Sequence, residues 1–151
     1  MASVRWRRPG AGVAIIALVV LCGNAAEAIE VDVQFHNSID LSVCRTWTWA
    51  QGRPAASFLV EAALREEIEA QMTKKGATRT AANAGCLVAT ASQRAEIFPA
   101  GTLAIEIYDA ASQRLAWSAV ATAIITDDDS KKVAKVARKA VKEAFKRFPK
   151  L

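Results

Sequence analysis

The sequence predicts an α+β domain: an antiparallel or mixed sheet of about five strands with two helices packed on one face, in the order ββαβββα. Three observations carry this reading. Apolar residues recur at helical spacing over residues 57–75 and again over 130–148, each time on one side only. The segments around them alternate apolar and polar residues, the spacing of half-buried strands. Clusters of Asn, Asp, Ser, Gly and Pro separate the two kinds of segment.

Residues 29–35, IEVDVQF, set Ile29, Val31, Val33 and Phe35 against Glu30, Asp32 and Gln34, a strand pattern. HNSIDLS, 36–42, is a turn or loop. CRTWTWA, 44–50, alternates again, with Arg45, Trp47 and Trp49 on one face and Cys44, Thr46 and Thr48 on the other. Gly52 and Pro54 break that pattern. Over 57–75, Val60, Leu64, Ile68 and Met72 build one apolar stripe. Glu61 near its start and Lys74 and Lys75 near its end suit the helix dipole, and Gly76 suits a C-cap. Residues 77–85 read as a polar, alanine-rich link and 86–92, CLVATAS, as a short strand. Pro99 and Gly101 mark a loop over 95–101.

Residues 102–125 read as a hairpin. Leu103, Ile105 and Ile107 alternate with Ala104, Glu106 and Tyr108, DAASQR makes the turn, and Trp117 lies near the start of the return strand. Asp127, Asp128, Asp129 and Ser130 cap the final helix. Its apolar side is Val133, Val136, Ala137, Ala140, Val141, Ala144 and Phe148. Lys131, Lys135, Arg138, Lys139, Lys142 and Lys146 face away.

The first 28 residues differ in kind. Arg5, Arg7 and Arg8 precede an uncharged, mostly aliphatic run over 11–21, and small residues follow at Gly23, Ala25, Ala26 and Ala28. Basic, apolar, small is the order of a secretory signal peptide. The run is too short to span a membrane, which takes about 20 residues. Ala26-Glu27-Ala28 fits the small-x-small rule, so cleavage is expected after Ala28, leaving one domain over 29–151. The alternative is a chain lipid-anchored through Cys22. Leu21 stands where a lipoprotein signal carries a small residue, so ordinary secretion is the expectation. Arg7-Arg8 is followed by Pro9, without the rest of a twin-arginine signal. The chain carries a net charge of +5, of which the leader's three arginines and Glu27 supply +2, leaving a mildly basic domain of +3.

Two stretches carry a family resemblance. GTLAIEIYDAASQRLAWSAVA, 101–121, joined to KAVKEAFKRFPKL, 139–151, resembles the DUF4136 family of the bacterial envelope, with Gly101, Asp109, Trp117 and Phe148-Pro149 in the family's pattern. DLSVCRTWTW, 40–49, and LREEIEAQMTKKG, 64–76, resemble its front end. The resemblance implies an envelope address, many relatives being lipoprotein-like, and no activity to transfer. This sequence departs from the pattern in three places. It lacks a glycine before Arg114, carries Cys44 where an aromatic residue is usual, and has Leu21 in the lipid-attachment signal.

Chemistry-bearing residues are few. Cys44 and Cys86 are the two cysteines of the domain; they form a disulfide in an oxidising compartment or stay as two buried thiols. There is no Cys-x-x-Cys, which argues against a disulfide oxidoreductase. His36 is the only histidine, so zinc and histidine-based nucleophilic chemistry are poorly supported and no cofactor is expected. Asp127, Asp128 and Asp129 lack the spacing of a calcium loop and suit a helix start. Trp47, Trp49 and Trp117 are either a ligand-cleft lining or core aromatics. Lys135, Arg138, Lys139, Lys142 and Lys146 either contact an anionic surface or solubilise an alanine-rich helix. Glu106 and Asp109, a carboxylate pair a hydrolase would need, fall on opposite faces of one strand.

The functional expectation is an exported periplasmic envelope protein, non-enzymatic, that binds or scaffolds at a membrane surface. Its partner would be an anionic lipid surface or another envelope protein, and not nucleic acid. A small-ligand carrier with a tryptophan-lined cleft is the alternative, and a carboxylate-dependent hydrolase the weakest.

Overall fold

Ile29–Phe35 forms strand β1, with Ile29, Val31 and Val33 packed against the core and Glu30, Asp32 and Gln34 outside. The computed structural model describes residues 28–51, 54–55, 57–94, 100–125 and 128–151. The leader with Cys22, and with them Gly52, Pro99 and Asp127, lie outside the described residues.

The segment expected to alternate from Cys44 starts differently. Leu41–Arg45 is a 3₁₀ turn, and β2 is the shorter Thr46–Trp49. Asp40 explains the turn: its carboxylate accepts the Ser42 N–H at 2.9 Å, a local bond that competes with extended backbone. Those bonds from Ser42 hold the Asp40 carboxyl below its ordinary pKa.

Helix α1, Phe58–Lys74, buries Val60, Leu64, Ile68 and Met72, the predicted stripe. It ends in a Schellman motif, with Ala77 N–H donating to Met72 O and Gly76 N–H to Thr73 O, both at 3.0 Å. Gly76 has φ 98°, which glycine adopts without penalty. The polar link expected over 77–85 contains a sixth strand, β3, of two residues, Thr78–Arg79. Strands β4, Cys86–Arg94, β5, Ala100–Asp109, and β6, Leu115–Ile124, follow, then helix α2, Ser130–Phe145. Asp129 is its N-cap, accepting from the Lys131 N–H at 2.9 Å.

The sheet is mixed, in the order β1-β6-β5-β4-β2-β3. β4, β5 and β6 form an antiparallel meander, β1 adds antiparallel to β6, and β2 runs parallel to both β4 and β3. Gly85 makes this β2–β4 junction possible: a Cβ there would lie 1.8 Å from the Val43 carbonyl oxygen. Its N–H donates to both Thr46 O and Thr46 Oγ1 at 3.0 Å.

The two helices pack side by side on one face and enclose the core with it. Residue size tapers along that core. At one end Trp117 meets Phe145 and Phe148, with ring centroids 5.5 and 5.1 Å away. At the other end β6 offers only Ala119, Ala121 and Ala123, and α2 offers Ala137 and Ala140. Past α2 the chain turns back to α1: Leu151 N–H donates to Lys75 O at 2.8 Å, and the Lys75 ammonium donates to Phe148 O. Burial, with Lys150 and Lys74 nearby, holds the Lys75 pKa below its ordinary value.

Candidate functional site

Cys44 in the 3₁₀ turn and Cys86 at the start of β4 are joined as a disulfide, their Cα atoms 4.8 Å apart and both side chains fully buried. The bond fastens the 3₁₀ turn ahead of β2 to the start of β4, beside the point where Gly85 lets the backbones approach.

The three tryptophans do not form one cluster. Trp47 is buried and meets Trp49 edge-on at 5.1 Å. Trp117 lies with the phenylalanines of the far helix, itself fully buried. Trp49 is half-buried but engaged on every side: Arg65 stacks on its ring at 4.6 Å, and its indole N–H donates to Glu69 at 3.2 Å. Arg65 also pairs with Glu61 at 2.8 Å, and Glu69 with Arg79. Trp47 and Trp117 are thus core residues, and Trp49 packs at the edge of the core.

The carboxylate pair does not meet either. Glu106, on the sheet face away from the helices, accepts the Tyr108 hydroxyl at 2.7 Å. That bond pushes the phenol pKa up to about 12, because ionisation would break it and set two negative charges side by side. Asp109 sits in the hairpin turn, where it accepts from the Ser112 hydroxyl and from the Ser112 N–H at 3.0 Å. Those bonds hold its pKa below the ordinary value. His36 stands at the end of β1, its backbone N–H donating to Ala116 O at 3.0 Å. No three His, Cys, Asp or Glu side chains gather as metal ligands among the described residues.

The basic face of α2 splits into two rows. Arg138, Lys142 and Lys146 are four residues apart and all meet carboxylates: Glu66, Glu67 at 3.8 Å and Glu143 at 2.7 Å respectively. Glu66 and Glu67 belong to α1, so Arg138 and Lys142 stitch the helices together, while Lys146 pairs with a residue of α2 itself. Glu67 itself is buried and also accepts from Gln71 at 2.8 Å. The second row is Lys131, Lys135 and Lys139, also four apart, so neighbouring Cβ atoms lie about 5–6 Å from each other. All three are exposed, and their ammonium groups enter no ion pair among the described residues. In the sequence the two rows read as one surface; Glu66 and Glu67 of α1, with Glu143 of α2, divide them.

A cavity of about 170 Å³ lies where the core tapers. The sheet contributes Leu103, Ala121 and Ala123; α1 contributes Val60 and Leu64; α2 contributes Val133, Val136, Ala137 and Ala140. None of the three tryptophans of the domain lines it. The signal was present in the sequence, in the alanines at alternate positions of β6 and at helical spacing on α2, but it appears only once the two elements are known to face each other.

Solved structures share this architecture. PelC from Paraburkholderia phytofirmans, a dodecamer, aligns at TM-score 0.56 and 12% identity, over 78% of this chain and 94% of its own. A PDZ domain protein from Parabacteroides distasonis aligns at TM-score 0.62 and 17% identity, over 83% of this chain and 37% of its own. At these identities the likeness is one of fold. No curated protein matches the chain in sequence. The family model for the domain of unknown function DUF4136 matches residues 31–150, nearly the whole of the folded domain, and the chain belongs to that family.

Proposed function

We propose that the chain is an exported envelope protein that works without catalysis, as a binding or scaffolding module at the periplasmic membrane surface. The leader pattern supports export, and a buried disulfide suits an oxidising compartment. No described helix is long and apolar enough to cross a membrane. The observation that carries the reading is the row Lys131, Lys135 and Lys139, exposed and without acid partners among the described residues, on the outer side of a helix whose inner side is core.

Each lysine near an anionic membrane contributes about 1 kcal/mol, so the row supplies about 3 kcal/mol, on the order of a hundredfold in affinity. Such binding is weak and screened by salt. Co-sedimentation with vesicles rich in phosphatidylglycerol tests it. Binding is expected at low salt, reduced at physiological salt and lost in the Lys131→Glu, Lys135→Glu, Lys139→Glu triple variant. Replacing Arg138, Lys142 and Lys146 with Gln serves as control and should leave most binding in place. A wild-type chain that stays in the supernatant at low salt refutes the membrane reading.

Two other readings lose support. For a tryptophan-lined carrier, Trp47 and Trp117 are core and Trp49 is held by Arg65 and Glu69, which does not favour a lining made of these three rings. For a carboxylate hydrolase, Glu106 is engaged by Tyr108 and Asp109 by Ser112, which does not favour catalysis by that pair.

A further inference from the structure

We propose that the cavity between the helix pair and the sheet binds an uncharged, unbranched alkyl chain of about six carbons. The site is independent of the lysine row: it lies on the inner side of α2, and the row lies on the outer side.

Size sets the first limit. A dry apolar cavity of about 150 Å³ is known to hold benzene, so 170 Å³ has room for about six carbon atoms. Shape sets the second. The lining runs from Ser130 to Ala140 along α2, about 15 Å at the helical rise. The lining is therefore elongated, which matches an extended chain better than a compact ring. The described walls agree, being mostly Ala, Val, Leu and Ile with no aromatic face among them.

Charge sets the third limit. No Lys or Arg is among the described lining residues, and the one charged residue among them is Asp128. A carboxylate or phosphate drawn inside would lose its hydration with no cation among those residues to replace it. The polar rim is Ser57, Thr102 and Ser130, which suits a hydroxyl or another neutral head. Gly101 and Ile125 both form wall, the Ile125 side-chain end lying 2.3 Å from where a Gly101 Cβ would be.

The test is an amide chemical-shift titration of the full chain, isotope-labelled and exported by its host, with hexan-1-ol, sodium hexanoate and benzene. Hexan-1-ol should move the Leu103, Ala121 and Ala137 amides saturably. Hexanoate and benzene should bind about tenfold more weakly or not at all. Ala137→Leu, from the helix wall, and Ala121→Val, from the sheet wall, should each weaken hexan-1-ol by about tenfold while Tm holds or rises, the mark of filled space. The proposal is overturned if hexan-1-ol produces no saturable shift, or if hexanoate or benzene binds as tightly. It also falls if either filled variant keeps wild-type Tm and wild-type affinity.

Discussion

Gln113 occupies the place in the hairpin turn where a glycine was expected, and it has φ 56°. Left-handed backbone costs a residue with a Cβ about 1–2 kcal/mol, which its side-chain bond to Ala110 O at 2.7 Å offsets in part. Gln113→Gly should therefore raise stability, by about 0.5 kcal/mol once the added freedom of the unfolded chain is counted. A urea midpoint below wild type would show that the side-chain bond outweighs the strain. Two glycines show what a single residue lets a reader infer. Gly76 is legible because its reason is local, the end of a helix it terminates. Gly85 is not, because its reason is the Val43 carbonyl, brought against it from a distant part of the chain.

Elements follow the same division between local and distant causes. The α1 stripe, the N-cap of α2 and the hairpin strands were legible because each is a short-range pattern of charge, period or turn chemistry. β3 was not, since two residues carry no period; it exists because β2 offers an edge to pair with. The two basic rows were merged for a related reason, two of the dividing acids, Glu66 and Glu67, lying on another helix. The disulfide acts at this scale, tying the 3₁₀ turn to β4 across 42 residues that include β2, α1 and β3. Closing a loop of that length is worth about 4 kcal/mol on chain-entropy grounds. Replacing Cys44 and Cys86 together with Ala should lower unfolding free energy by about that amount, with the loss also seen on reduction of the wild type. A double variant within about 1 kcal/mol of wild type would place the constraint elsewhere.

At the scale of the whole molecule, fold class and layer arrangement were legible, and strand order was not. Two apolar stripes require a common face to bury against, which the sequence states; that β1 pairs with β6 and β2 runs parallel to β4 is decided by contacts between remote segments. The cavity belongs with the latter, since three remote segments leave it between them. Global stability carries the imprint of a few titrating groups. The Tyr108 phenol, raised to about 12, holds its proton more tightly when folded. It adds stability below about pH 10, and that contribution is lost as pH climbs from 10 to 12. Asp40 and Asp109 act with the opposite sign, adding stability above about pH 4 that is lost as pH falls through their lowered values. Urea midpoints against pH should fall between pH 10 and 12, and Glu106→Gln should flatten that limb. The single tyrosine of the chain allows a direct check, because its absorbance should titrate near 12 and return toward 10 in the variant. Unchanged titration in Glu106→Gln would remove Glu106 as the cause.

The return of the last residues to the end of α1 bears on how the protein is handled. Leu151 is held by its own amide to Lys75 O, and its carbonyl oxygen sits 3.1 Å from where a Gly76 Cβ would be. An affinity handle fused after Leu151 would hang from an atom wedged against that helix end, and would pull on it. The residue before Ile29 leads instead into an edge strand, open to solvent on its outer side, so a purification tag belongs there.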